Sequence, residues 1–183
     1  RRPRTTPLTP YNLLMPSDIL ASYYALSHSQ RMRAAYELGL DPDNRAIIDE
    51  WEQGDSFARR LALQSIYGSH DGERAMRLCS DRSRLIRTMA VKLLARYGDL
   101  AQLRPVFLES SEKIRRCISR VLAEHGRRDI VDELCAALQS AGGDWQLLVP
   151  YATPEFIARH FALAFERAGV ADWVRLSRQH PRL

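Results

Sequence analysis

The chain has 183 residues, of which 45% are hydrophobic and 27% charged, a balance that supports a buried core and excludes a disordered chain. Its net charge is +5, and arginine supplies 25 of the 27 cations, Lys92 and Lys113 being the others; this excess admits an acidic partner such as nucleic acid without requiring one. No run of about 18 apolar residues occurs, which excludes a membrane-spanning helix, and the early apolar runs are too short and interrupted for a secretion signal.

Residues 1–17 hold three arginines, four prolines, three threonines and no acid. They read as an extended basic arm, because the prolines break the amphipathic helix that an organelle-targeting segment needs. After Pro16 a helical period dominates, and no segment sustains a period of two. Ser17 and Asp18 are placed to cap a helix through Ile19, Leu20, Tyr23, Tyr24 and Leu26. Ser29 is placed to cap a second through Met32, Ala35, Tyr36 and Leu38, with Gly39 as its stop. Asp41 and Pro42 open a third through Ile47, Ile48 and Trp51, closed by Gly54. Residues 18–54 therefore form N-terminal capping helices.

From Asp55 the chain repeats itself. A first helix within Asp81–Asp99 is followed by a second over Leu100–Glu109; the next unit runs Ser110–Asp129, followed by Ile130–Ser140. Arg87 aligns with Arg115 and Gly98 with Gly126, since 115 − 87 and 126 − 98 both equal 28. An earlier copy covers 55–80, as Phe57–Gly68 and Gly72–Ser80, with Arg59 and Ala62 in register with Arg87 and Ala90. A later copy covers 153–180, opening on Thr153 and Pro154 and passing Phe156, Phe161 and Phe165 to Gly169; a longer connection with Gly142, Gly143 and Pro150 precedes it. One such hairpin cannot bury both its apolar stripes, so neighbours must stack against it. The glycine ending each first helix is expected in the left-handed conformation that lets the chain reverse.

Asp81, Ile86-Arg87, Ala90, Leu94 and Gly98-Asp99 resemble the pattern of a HEAT repeat. The resemblance is strongest over 81–126, extends over 55–141, and implies an all-α, right-handed α-solenoid of antiparallel helix pairs filling residues 55–183, here as 55–80, 81–109, 110–141 and 153–180. It further implies an internal polar ladder, for which Asp55/Arg59, Asp81/Arg87 and Arg115 are the matching positions, although Ser110 or Ser111 stands where the last of these expects Asp and Ile118 replaces Ala. Members of that family serve mostly as scaffolds or adaptors, and a minority bind or repair DNA, so the resemblance carries a fold rather than one activity.

No nucleophile motif, phosphate-cradling glycine loop or metal-binding spacing is present in the sequence. His28, His70, His125, His160 and His180 lie in separate segments, and Cys79, Cys117 and Cys135 share no CxxC or Cys/His spacing; free thiols fit a reducing, cytoplasmic compartment. No catalytic residue, cofactor or metal, and no small-molecule substrate, is expected. The expectation is a non-enzymatic module that binds a protein partner on a concave face lined by second helices. There Arg74, Arg77, Gln102, Arg104, Asp132 and Glu133 are read as exposed, and Trp145, in the long connection, as an exposed anchor. The alternative is a nucleic-acid-binding protein akin to HEAT-like DNA glycosylases, using a basic edge of Arg82, Arg84, Arg115, Arg116, Arg127 and Arg128. In that alternative Asp132 or Glu133 with Trp145 would serve the chemistry. Trp51, Trp173, Tyr23, Tyr24 and Tyr36 are assigned to packing.

Overall fold

Caps and buried stripes set the helix boundaries. The computed structural model of the chain describes residues 16–165, 167 and 169–179; most of the basic arm, residues 1–15, and His180 lie outside them. Among the described residues all regular structure is helical: α1 (Pro16–Tyr24), α2 (His28–Leu40), α3 (Arg45–Gln53), α4 (Ser56–Ser69), α5 (Gly72–Leu78), α6 (Arg84–Tyr97), α7 (Leu100–Glu109), α8 (Glu112–Glu124), α9 (Arg128–Ser140), α10 (Pro154–Phe165) and α11 (Val170–Gln179), with 3-10 segments at Pro42–Asn44 and Trp145–Tyr151. No helix of the described residues is long and apolar enough to cross a membrane. The chain divides into two compact units, Arg1–Ser69 and His70–Leu183, so α4 and α5, read from sequence as one repeat over 55–80, belong to different units.

In the first unit α2 and α3 both pack on α4. Tyr23 stands edge-on to Trp51 at 5.2 Å in a core shared with Ala35, Leu38, Leu61 and Ala62. The cap of α2 is Ser27 rather than Ser29: Gln30 N lies 3.4 Å from Ser27 Oγ, and Gln30 Oε1 accepts from Ser27 N at 2.9 Å. This reciprocal box needs a glutamine three residues after the cap, which Ser27 has and Ser29 lacks. Gly39 is not a stop, because α2 continues through it to Leu40; its missing side chain lets α2 touch α4 at Ser65, and Gly68 answers it against Tyr36.

Asp55 caps α4, its Oδ1 accepting from Phe57 N at 2.9 Å and Ala58 N at 2.8 Å. The Ala58 N–H, above all, holds this carboxyl below its ordinary range against a smaller opposing effect of burial; the Tyr24 hydroxyl, Phe57 N–H and Arg59 charge reinforce it. A folded-state value below the unfolded one stabilises above the unfolded pKa and is lost as pH falls through the folded one. Asp55→Ala should therefore cost about 1 kcal/mol at neutral pH. That gap from the parent should close as pH drops below about 4 in urea titrations.

In the second unit the 28-residue period governs burial. Ala90 and Ile118 on α6 and α8 are fully buried, as are Leu94 and Leu122, and Ala75, Leu103 and Val131 do the same on α5, α7 and α9. Helix α6 packs on α8, α5 on α7, and α7 on α9, while each also touches its chain neighbour. The 81–109 and 110–140 segments thus lie side by side. Arg127, just past the end of α8, donates to the last carbonyls of α6, so those two helices run in the same direction.

The two glycines of the period behave differently. Gly126 is left-handed (φ 73°), with its own N–H on Ala123 O and Arg127 N on Leu122 O, the double bond of a Schellman end. Gly98 is extended (φ −72°, ψ 155°) because Asp99 caps α7 at once. Its requirement is space, since a Cβ would lie 2.6 Å from Leu94 Cδ1, and one on Gly72 would lie 2.9 Å from Gly98 Cα. The long connection is also folded. Gly142 (φ 72°) ends α9 with a second Schellman pair and sends the chain into the buried 3-10 segment Trp145–Tyr151, which packs on α8, α9 and α10. Thr153 caps α10 as expected, its Oγ1 accepting from Phe156 N at 3.2 Å.

Candidate functional site: a cation-lined groove

Arginines at the 28-residue interval close helix ends. Arg59 Nη1 donates to Gly54 O at 2.6 Å, Arg87 Nη1 to Asp81 O at 2.6 Å, and Arg115 to Phe107 O at 3.0 Å and Leu108 O at 2.6 Å. Each places a cation at carbonyls that follow or end the preceding helix, where unpaired oxygens and the negative end of the dipole favour it. Arg127 does this across neighbours, donating to Ala95 O, Arg96 O and Gly98 O. Arg128 Nη1 reaches Tyr151 O and Ala152 O, both at 3.0 Å. Burial lowers the pKa of both Arg127 and Arg128, against the opposing pull of nearby aspartates.

These contacts redraw the basic edge. Arg115, Arg127 and Arg128 are committed to main-chain carbonyls, while Arg82 is exposed and Arg84 and Arg116 line a groove. The second-helix row is redrawn as well. Arg74, read as exposed, is only 1% exposed, its Nε 3.5 Å from the carboxylate of Asp71, the residue that caps the same helix. Gln102 closes the capping box of α7, its Oε1 accepting from Asp99 N at 3.0 Å. Asp132 accepts from Thr153 N at 2.9 Å and from Thr153 Oγ1 at 2.6 Å, tying α9 to the start of α10. Trp145, read as an exposed anchor, is 5% exposed and edge-on to Phe156 and His160, because its segment coils into the core. Arg77, Arg104 and Glu133 alone keep the exposure expected of that row.

The groove lies between α6 and α8, from their first turns to beyond their midpoints, with a volume of about 770 Å³. Six cations line it, Arg84, Arg87 and Lys92 from α6 and Lys113, Arg116 and Arg120 from α8, against the single acid Glu112. Three of these are already engaged: Arg87 Nη1 donates to Asp81 O and Arg82 O, while Arg116 and Arg120 have i,i+4 partners, Arg116 Nη2 lying 3.1 Å from Glu112 and Arg120 Nε 3.8 Å from Glu124. Such exposed ion pairs are weak and exchange readily for a competing carboxylate or phosphate. The caps of both helices, Ser83 and Ser111, make no side-chain bond to the first turn, so two positive helix ends point the same way beside the cations.

Set against family models, curated proteins and solved structures, the chain matches none.

The groove's floor is apolar. Val106 and Ile114 are half-buried there beside the thiols of Cys79 and Cys117. Burial pushes the Cys79 thiol up to about 12, and likewise that of Cys135 in the core, so Cys79 stays a neutral thiol rather than a nucleophilic thiolate near neutral pH. Among the described residues no three metal-ligating side chains converge. What the lining offers is attraction for an anion over a greasy base. Lys92, Lys113, Arg120 and the groove-facing side of Arg87 were not singled out from sequence. The signal was there, in Lys113, Arg116 and Arg120 at i, i+3 and i+7 and in Arg84 and Arg87 at i and i+3, spacings that line one helix face.

Proposed function

We propose that this chain is a non-enzymatic interaction module whose helix pairs stack as a HEAT-like solenoid and hold an anionic segment of a partner macromolecule in the α6–α8 groove. The observation that carries the reading is the six-to-one excess of cations over acids around a single groove. The stacking is supported by the 28-residue period of buried positions and by the α6–α8 and α7–α9 pairings. The working surface moves from the second-helix row to the first-helix row, because Arg74, Asp132 and Trp145 are spent on packing and capping.

The test is anisotropy titration of labelled polyglutamate, single-stranded DNA and duplex DNA, beginning at about 50 mM salt and rising. At least one polyanion should bind, with affinity falling as salt rises, and the Arg84→Glu/Arg116→Glu double variant should bind at least about tenfold more weakly. Failure of every polyanion at the lowest salt, or equal binding by the double variant, removes the reading.

A further inference from the structure

Resting on that reading of the groove, we infer that its occupant is a short extended peptide in which an apolar side chain is flanked by carboxylates, rather than a nucleic-acid strand. The cations form two rows on parallel helices. Lys92 follows Arg84 by eight positions on α6, and Arg120 follows Lys113 by seven on α8, so each row is about 10–12 Å long. An extended chain covers that length in about four residues. A volume near 770 Å³ is of the size that encloses a short segment, not the face of a folded domain.

Between the rows the base is aliphatic, formed by Val106 and Ile114 with the neutral thiol of Cys79. An apolar residue of the peptide would cover this base while its acidic neighbours meet the rows and the open N-termini of α6 and α8. Strand recognition of nucleic acid uses aromatic faces on which bases stack. The one aromatic residue in the groove lining, Tyr151, is 4% exposed and offers no such face. Arginine predominates over lysine in the rows, and its planar fork matches a carboxylate with two parallel hydrogen bonds.

The experiment uses the full chain and three labelled probes: a short peptide with one leucine between glutamates, the same peptide with serine for leucine, and a thymidine oligonucleotide of equal charge. The leucine peptide should bind best, and serine should weaken it about tenfold, the effect of withdrawing one leucine-sized side chain from an apolar base. Lys113→Glu, on an exposed residue outside the helix packing, should weaken it as Arg84→Glu/Arg116→Glu does, which separates loss of the site from loss of the fold. If both peptides bind alike, or the oligonucleotide binds as well as the leucine peptide, the inference is overturned while the anion groove stands. If none of the three binds, both are overturned.

Discussion

Alanine at position 39 lowers the stability of the Arg1–Ser69 unit by about 2 kcal/mol, although it replaces a glycine inside a helix. In an exposed helix the same change is favourable by about 1 kcal/mol, since alanine restricts the unfolded backbone and glycine does not. Here the new Cβ would fall on the carbonyl oxygen of Ser65 and lie 2.7 Å from its carbonyl carbon and 2.9 Å from its Cα. Those atoms are main chain of α4, so no flexible side chain can swing aside. The helices must part, and Ala35 and Leu38 lose contact with the Leu61–Ala62 stretch of the core. Overpacking of this kind costs about 3 kcal/mol at the upper end of its usual range, which outweighs the propensity gain. Amide exchange in α2 and α4 reads the result locally. Faster exchange there with α6 and α8 unchanged is expected; slower exchange in α2 would mean that the two backbones do not meet at Gly39. Gly126→Ala is the contrast, with open space around its Cβ but φ of 73°, and should cost only about 1–2 kcal/mol.

That contrast marks what the sequence could and could not reveal. The 28-residue interval was legible because it is written in both charges and apolar positions: Arg87 and Arg115, Ala90 and Ile118, Leu94 and Leu122. It placed α7 over Leu100–Glu109, as observed, and α9 over Ile130–Ser140, two residues short at its start, while α8 fills Glu112–Glu124 of the unit read as Ser110–Asp129. Glycine was ambiguous, because turning the chain and admitting a neighbouring backbone leave the same letter. Gly126 turns, Gly39 and Gly72 admit the main chain of Ser65 and Gly98, and only the neighbour decides. Arg74 misled for a related reason. A long aliphatic stem can be buried if its head finds an acid, and Asp71 one turn earlier supplies it. Trp145 followed two glycines and read as a loop residue, yet Gly142 ended α9 in a turn that returned the chain to the core. The groove itself was only half visible. Its cation stripes were in the sequence, but two stripes become a site when α6 and α8 lie parallel, a relation that no single helix encodes.

Arg127→Ala should destabilise the His70–Leu183 unit by about 2–3 kcal/mol, more than the loss of any exposed arginine such as Arg82 or Arg104. The guanidinium donates to Ala95 O at 2.8 Å, Arg96 O at 3.0 Å and Gly98 O, closing the end of α6 from the turn after α8. Removing it leaves part-buried carbonyls at a helix end without their charged donor, and hydrogen bonds to charged groups are the costly ones to lose. The arginine also sits where a residue that ordinarily caps a helix would stand: Asp71 and Asp99 cap α5 and α7 at the same register, whereas Arg127 gives α9 no side-chain cap. The position has exchanged a local cap for a bond between neighbouring helix pairs, so Arg127→Asp is the informative companion. It should restore a cap worth about 1 kcal/mol to α9 while breaking the link to α6, and remain less stable than the parent. Lysine should recover only part of the loss, since one ammonium cannot span three carbonyls fixed in a row. Urea denaturation of the three variants decides the matter. If Arg127→Asp matched or exceeded the parent, the link between α8 and α6 would contribute no more than that cap, and the packing of α6 on α8 would rest mainly on their apolar faces.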